Sequence, residues 1–176
     1  MNKQIPTELL KLELRKLQIK VAEESRSNFL TFVKKVWPDF ISGPHHKIIA
    51  KKFEDISRGK IKRLIVNMPP RHTKSEFASN LFPAWMMGRN PKLKIIEATH
   101  TAELSYNFGR KVRNLFDQQE FQDVFPDVSL SQDSKAAGRF TTNKGGEYFA
   151  AGVGGAITGR GADLLIIDDP HSEQDA

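Results

Sequence analysis

The first third of the chain has the spacing of apolar residues that is typical of amphipathic helices. This spacing predicts one helix over residues 7–25, a second over 27–36 and a third from about 45 to 57. The leucines of the first helix form a stripe that predicts a packing face. We therefore divide the chain into a helical N-terminal lead, residues 1–42, and a core, residues 43–176.

The apolar pattern of the core changes to that of strands alternating with helices. Short β-rich runs predict buried strands at 64–67, 93–99 and 163–168. The first run leads into a helix that starts at Lys74 and the second into a helix over 101–116. A strand followed at once by a helix, twice over, is typical of an α/β fold with a mostly parallel central sheet.

Two further features complete the predicted elements. Residues 139–150 have the pattern of a β-hairpin around Lys144-Gly145-Gly146, and Phe121 and Phe125 suggest one helical turn. Pro83 lies inside the helix that starts at Lys74, which predicts a kink or a restart there.

The positive charge of the chain is concentrated near its N-terminus. The net charge is +6, and residues 1–60 contain 13 Lys and Arg against 7 Asp and Glu, whereas the rest contains 14 of each. A basic region can bind a polyanion such as DNA, although solvated helix faces give the same count. Because there is no cysteine, disulfides and thiolate metal sites are excluded. No apolar run is long enough to span a membrane, and residues 1–6 lack the apolar core of a signal peptide.

Residues 64–75 have the layout of a phosphate-binding loop: a strand, a tight turn, Lys74-Ser75 and then a helix. A helix N-terminus offers free N–H groups to a phosphate, a lysine adds charge, and a serine hydroxyl can bind magnesium. Met68 and Thr73 occupy the positions where the usual pattern has glycine. An ordinary strand-to-helix turn with a basic residue therefore stays open as an alternative.

Two carboxylates follow the last predicted strand. Asp168 and Asp169 lie at its carboxyl end, which is the edge where parallel sheets bind ligands. In a Walker-B arrangement the first holds magnesium and the second orients the attacking water. A strand that ends in a polar turn is the alternative. Arg160, in a segment with five glycines, is a candidate for stabilising charge on a transferring phosphate, and a surface arginine is the alternative.

The five histidines do not predict a metal site. His45 and His46 are adjacent and point in different directions along a helix, while His72, His100 and His171 are scattered along the sequence.

Four segments together resemble the ATPase half of the terminase large subunits of tailed phages and prophages. They are MPPRHTKS at 68–75, FPAW at 82–85, GVGGAITGRGAD at 152–163 and IIDDP at 166–170. The similarity runs from about Pro44 to Pro170. It implies an ASCE-type P-loop NTPase that hydrolyses Mg-ATP to drive double-stranded DNA into a procapsid.

The resemblance also implies site residues and partners. Lys74 would hold the phosphates, Ser75 and Asp168 the Mg²⁺, and Asp169 would replace the catalytic glutamate. Arg160 would reach the ATP of a neighbouring subunit, and His46 would contact the adenine. The loop residues Arg71, His72 and Thr73 would also bind the nucleotide. The implied partners are the portal of the procapsid, the small terminase subunit and further copies in a ring, without a membrane, in the host cell cytoplasm.

Three departures from that family modify the expectation. Thr73 replaces a glycine, the coupling motif and remaining strands after Pro170 are missing, and so is the nuclease domain. We therefore expect that the chain does not cleave DNA. We also expect it to be a truncated gene product, an isolated fragment or one piece of a split subunit. The alternatives are a superfamily-2 helicase-like ATPase and a non-enzymatic remnant or DNA-binding module.

Overall fold

In a computed structural model of the chain, helices form the first part and a sheet with flanking helices forms the rest. The structure describes residues 7–155 and 157–171. The helices are α1 (Thr7–Ser27), α2 (Phe29–Val36), α3 (Pro44–Ser57), a π-helix (Glu76–Leu81) continued by α4 (Phe82–Arg89), α5 (Ala102–Leu115) and α6 (Gln119–Val124). The strands are β1 (Lys94–Thr99), β2 (Leu130–Ala136), β3 (Arg139–Thr142), β4 (Glu147–Gly152) and β5 (Leu164–Asp168).

Within the described part of the chain, the sheet has five strands in the order β2-β3-β4-β1-β5. Strand β1 pairs in parallel with β4 on one side and β5 on the other, with Thr99 opposite Asp168. Strands β2 and β3 are antiparallel additions at the β4 edge. The predicted α/β class is thus confirmed, while the parallel character holds for three of the strands.

Several predicted elements agree closely with the structure. The strands expected at 93–99 and 163–168 are β1 and β5, and the expected hairpin is β3 and β4. Thr101 caps α5, because its side chain accepts a hydrogen bond from the Leu104 N–H. Strand β2 was not predicted from the sequence.

The strand predicted at 64–67 is wrong. No described strand pairs with this segment, although it is extended and Leu64 and Val66 pack partly against the core. Ile65 is 86% exposed, so the segment is not buried on both faces. Strand β5 does form, but its Leu165 and Ile167 are exposed. The prediction that this strand is fully buried is therefore wrong.

An aromatic cluster joins the N-terminal helices to the core. The Phe29 ring of α2 packs edge-to-face on Phe77, Phe82 and Trp85, with centroids 5.3–5.8 Å apart. The Trp85 indole N–H donates to the Ser25 carbonyl of α1 (2.8 Å). Because aromatic rings bury a large apolar area, this cluster fixes the helix from Lys74 to Arg89 on the helical layer.

The helix from Lys74 changes its geometry at Pro83, as the sequence predicted. The turns over Glu76–Leu81 are π-helical, and the Phe82 N–H closes that segment by donating to the Phe77 carbonyl. Pro83 then falls in the first turn of α4, so its missing N–H lies at the point where the hydrogen-bonding pattern of the helix changes from π to α.

Helix α1 packs on the body only at its C-terminal end. Ala22 and Ser25 are buried, whereas every residue from Thr7 to Lys20 is exposed. No described residue covers the predicted packing face over that length. None of the described helices combines the length and apolarity that crossing a membrane requires.

We expect Phe29→Ala to lower the free energy of unfolding by about 3–5 kcal/mol, because it empties the centre of the aromatic cluster. The matched control is Leu12→Ala on the exposed part of α1, which should change it by less than about 0.5 kcal/mol. Urea denaturation of both variants measures the difference, and equal effects would contradict this description of the core.

Candidate functional site

The candidate site lies where the turn before the Lys74 helix meets the carboxyl end of β5. Strand β5 is parallel to β1, so Asp168 and Asp169 emerge at the same sheet edge as Thr99. Lys74 crosses to this edge, and its Nζ lies 3.1 Å from Asp168 Oδ1 and 2.5 Å from Asp169 Oδ1. The structure thus brings together a lysine and two carboxylates that the sequence separates by about 95 residues.

The charge of Lys74 is fixed by these two carboxylates. Partial burial of the ammonium group opposes its charge, but the hydrogen bonds with Asp169 and Asp168 outweigh that cost and raise the pKa of Lys74 above its ordinary value. Lys74 is therefore an ammonium ion at neutral pH.

The two carboxylates differ in their surroundings. The side chain of Asp168 is only 6% exposed, and its Oδ2 accepts a hydrogen bond from Ser79 Oγ (2.9 Å). The side chain of Asp169 is 67% exposed and its backbone has a φ of 42°, in the left-handed region. Asp168 is thus held rigidly, while Asp169 faces solvent at the mouth of the site.

The turn before Lys74 has a backbone that normally requires glycine. Arg71 and Thr73 have φ angles of 62° and 63°, in the left-handed region. This conformation costs a β-branched residue on the order of 1–2 kcal/mol. Thr73 therefore adopts a backbone conformation that favours glycine, and a neighbouring group must stabilise it.

His46 provides that stabilisation from behind the turn. Its Nδ1 accepts from the Gly43 N–H (2.8 Å), so its Nε2 carries the proton and donates to Thr73 Oγ1 (2.7 Å). The Thr73 hydroxyl in turn donates to the His72 carbonyl (2.6 Å). Both ring nitrogens of His46 are thus occupied by protein groups, which differs from the adenine contact implied by the family resemblance.

Three histidines meet around this turn, which the sequence did not predict. The rings of His45 and His46 have centroids 3.8 Å apart, and His72 approaches His45. Burial, followed by the nearby His45 and His72, lowers the pKa of His46 and keeps its ring neutral. Within the described ranges, no group of three or more His, Asp or Glu side chains has the arrangement of a metal site.

A buried glutamate lies beneath the carboxylates. Glu97 on β1 is fully buried, accepts a hydrogen bond from the Tyr148 hydroxyl, and has a second carboxyl oxygen without a hydrogen-bond partner among the described residues. Burial is the main cause that raises the pKa of Glu97 to about 8, and the charge of Asp168 adds to this increase. Hydrogen bonding by Tyr148 and Ser79 lowers the pKa and only partly offsets the increase. At neutral pH it is mainly a neutral acid.

Arg160 lies at the opposite end of the sheet from Lys74. Its guanidinium pairs with Glu147 Oε1 (3.1 Å) and stacks on Phe149 at 3.9 Å from the ring centroid. Glu147 begins β4 opposite Lys94, whereas Asp168 ends β5. Within one chain, Arg160 is therefore not part of the Lys74 site.

The remaining predicted residues lie on or beside the turn. Arg71 and His72 are exposed, and His72 Nδ1 donates to the Pro70 carbonyl (2.9 Å). The Ser75 side chain follows Lys74 in the helix and makes no capping hydrogen bond, so its hydroxyl is available for another ligand.

Comparisons of the chain with known protein families, with curated proteins and with solved structures found no match.

The buried Glu97 makes a pH-dependent contribution to stability. Because its pKa in the folded protein exceeds the ordinary value of 4.5, the stabilisation is full below pH 4.5 and is lost as the pH rises to about 8. We expect the free energy of unfolding to fall over this range by a few kcal/mol more in the wild type than in Glu97→Gln, which carries no titrating group there. Urea unfolding at pH 5 and pH 8 measures both, and parallel declines would rule this contribution out.

The contact between Thr73 and His46 can be tested with two substitutions. Thr73→Val keeps the shape but leaves the buried His46 N–H without an acceptor, so we expect a loss of about 1–3 kcal/mol in unfolding free energy. Thr73→Ser keeps the hydroxyl and should stay within about 1 kcal/mol of the wild type. Chemical denaturation measures both. A Val variant as stable as the Ser variant would show that the hydroxyl does not hold the turn.

Proposed function

We propose that the Lys74 site binds and hydrolyses Mg-ATP, and that the chain is the ATPase part of a terminase large subunit of the phage type, which translocates double-stranded DNA into a procapsid. The proposed fold is correspondingly that of an ASCE-type P-loop NTPase.

The observation that carries the ATP proposal is the convergence of Lys74, Asp168 and Asp169 at the carboxyl edge of parallel strands. Ligands of α/β proteins bind at this edge, and a lysine at the start of a helix complements the charge of a phosphate. The left-handed backbone at Arg71 and Thr73 also supports a phosphate-binding turn, because it directs the chain sharply into the helix.

The residues present fit a magnesium ion. Mg²⁺ is usually held by one or two carboxylates together with phosphate oxygens and water, so a cage of three protein carboxylates is not required. Asp168 and the Ser75 hydroxyl, which makes no capping hydrogen bond, supply suitable oxygen atoms. When bound, the metal supplies charge stabilisation at the phosphates.

Lys74 would change partners when the nucleotide binds. Its ammonium group, which now neutralises both aspartates, would turn to the phosphate oxygens, and Asp168 would become free to bind the cation and Asp169 to contact water. If Lys74 turned to the phosphates without Mg²⁺, two carboxylates would lose their positive partner, which is unfavourable. We therefore expect nucleotide affinity to depend strongly on Mg²⁺.

Hydrolysis would then use Asp169 and an arginine from another subunit. Asp169 is exposed at the mouth and would orient the attacking water, whereas Asp168 is held by Ser79. Because Arg160 lies at the far end of its own sheet, it would act only on the site of a neighbouring copy, as in a ring.

The motor part of the proposal rests on the four segments that resemble terminases and on the basic N-terminal lead, which suits a DNA backbone. The portal and the small terminase subunit would be its partners, in the host cell cytoplasm.

The first test is equilibrium binding of a fluorescent ATP analogue with and without Mg²⁺. We expect binding that requires Mg²⁺ and that Lys74→Ala weakens by about 10- to 100-fold, since charged hydrogen bonds to phosphates are lost. Lys35→Ala is the matched control: Lys35 is 18% exposed against 24% for Lys74, and it also pairs with an aspartate, Asp123. It should leave binding unchanged.

The outcomes of this experiment distinguish an ATP-binding motor from a non-enzymatic DNA-binding module. Equal affinities in the Lys74→Ala and wild-type proteins would overturn the site, and no binding in either would favour a non-enzymatic DNA-binding role. If ATP is hydrolysed, stimulation by procapsids and DNA supports the terminase, whereas stimulation by DNA alone favours a helicase-like ATPase.

A further inference from the structure

The exposed part of α1 has an apolar surface that no residue in the described ranges covers. Six large apolar side chains between residues 9 and 19 are 46–58% exposed: Leu9, Leu10, Leu12, Leu14, Leu17 and Ile19. An isolated helical stretch of this length is only marginally stable in water, so burial of one face against a partner would stabilise it.

Four of the apolar positions have the spacing of a coiled-coil seam. Leu10, Leu14, Leu17 and Val21 are separated by four, three and four residues, which places them on one side of the helix. We call them the α1 seam. At Val21 the side chain is already partly buried by the body, so the seam continues outward from a face that is packed at its C-terminal end.

The other apolar residues of α1 do not form a comparable seam. Leu9, Leu12 and Ile19 lie on the opposite side of the helix, and Lys16 stands where that second stripe would continue. A charged residue at a seam position lowers the stability of pairing. The α1 seam is therefore the better candidate for an interface.

The charges beside the seam favour pairing with a second copy in antiparallel orientation. When Leu14 lies level with Leu17 of the second copy, Leu10 lies level with Val21, and Glu13 lies beside Lys20 of the second copy. Two-fold symmetry repeats this ion pair on the other side. In a parallel pair, Glu13 would face Gln18 and Lys20 would face Ser25, so no opposite charges would meet.

We propose that the α1 seam is a self-association surface, through which two copies of the chain pair their α1 helices antiparallel. The contact is two-fold and uses no residue of the Lys74 site, so it does not depend on the proposed nucleotide chemistry.

The test is the oligomeric state of the full chain across micromolar to submillimolar concentrations, measured by sedimentation equilibrium. We expect the apparent mass to rise from 19.9 kDa towards twice that value. Leu14→Glu with Leu17→Glu should weaken pairing by at least ~100-fold, because four charges would enter the interface of the dimer. The matched control, Leu12→Glu with Ile19→Glu on the opposite side, should pair like the wild type.

Charge reversal and cross-linking test the orientation. Glu13→Lys or Lys20→Glu alone should weaken pairing by ~3- to 10-fold, and the double reversal should restore it. Since the chain has no cysteine, Leu10→Cys mixed with Val21→Cys should cross-link the two variants to each other. Each variant alone should cross-link poorly.

Three results would overturn the proposal. They are a wild-type chain that stays monomeric throughout the concentration range, equal weakening by the seam and control variants, and cross-linking of Leu10→Cys to itself, which would indicate a parallel pair. Circular dichroism establishes that each variant keeps the wild-type helix content. No nucleotide is present in these measurements, so their outcome is independent of the ATP-binding experiment.

Discussion

A buried carboxylate needs partners, and the position of Asp168 imposes that requirement on the structure. Its side chain is almost inaccessible to solvent at the end of β5, and an unpaired charge there would be costly. Ser79 and Lys74 supply the partners from one helix, on successive turns. The helix from Lys74 to Arg89 therefore has a polar end fixed to the sheet and, through Phe77 and Trp85, an aromatic side fixed to the N-terminal helices. This helix therefore connects the site to the core.

The turn at Thr73 shows how the structure accommodates an unfavourable residue. The left-handed backbone that the turn needs would suit glycine, yet a β-branched threonine adopts it. Its hydroxyl is bound by His46 and binds the His72 carbonyl, so the side chain that strains the turn also provides the bonds that hold it. His46 is buried and neutral for this purpose, and the consequence is a turn made rigid by hydrogen bonds.

Much of the fold followed from local pattern. The apolar runs of β1 and β5, the capping threonine of α5 and the glycine turn of the hairpin are strong local signals, and each element forms as predicted. The segment 64–67 has the composition of a strand but lacks a pairing partner in the described sheet, which composition does not reveal. Strand β2 lacks the apolar composition of a strand and was not predicted. It is a strand because it pairs with β3, and the local sequence does not show this pairing.

The Lys74–Asp168 pairing was predicted from two strand-like runs whose carboxyl ends would share one sheet edge. The pairing forms, although the first of these runs, 64–67, does not join the described sheet. The contact between His46 and Thr73 and the buried Glu97 could not be inferred, since each depends on packing between segments distant in sequence. Arg160 carries a strong sequence signal in its glycine-rich segment, but its distance from Lys74 depends on how the loop after β4 returns along the sheet.

The separation of Lys74 from Asp169 also determines when the site can exist during synthesis. Contacts between residues so far apart in sequence close a long loop, so they carry a larger entropic cost than local contacts. A nascent chain that has left the ribosome only as far as β4 already contains the aromatic residues of the helical layer, yet it lacks both aspartates. Lys74 is then an unpaired cation on a growing polypeptide, and it acquires its partners only when β5 emerges and docks beside β1. The ion pair therefore cannot form before β5 has been synthesised.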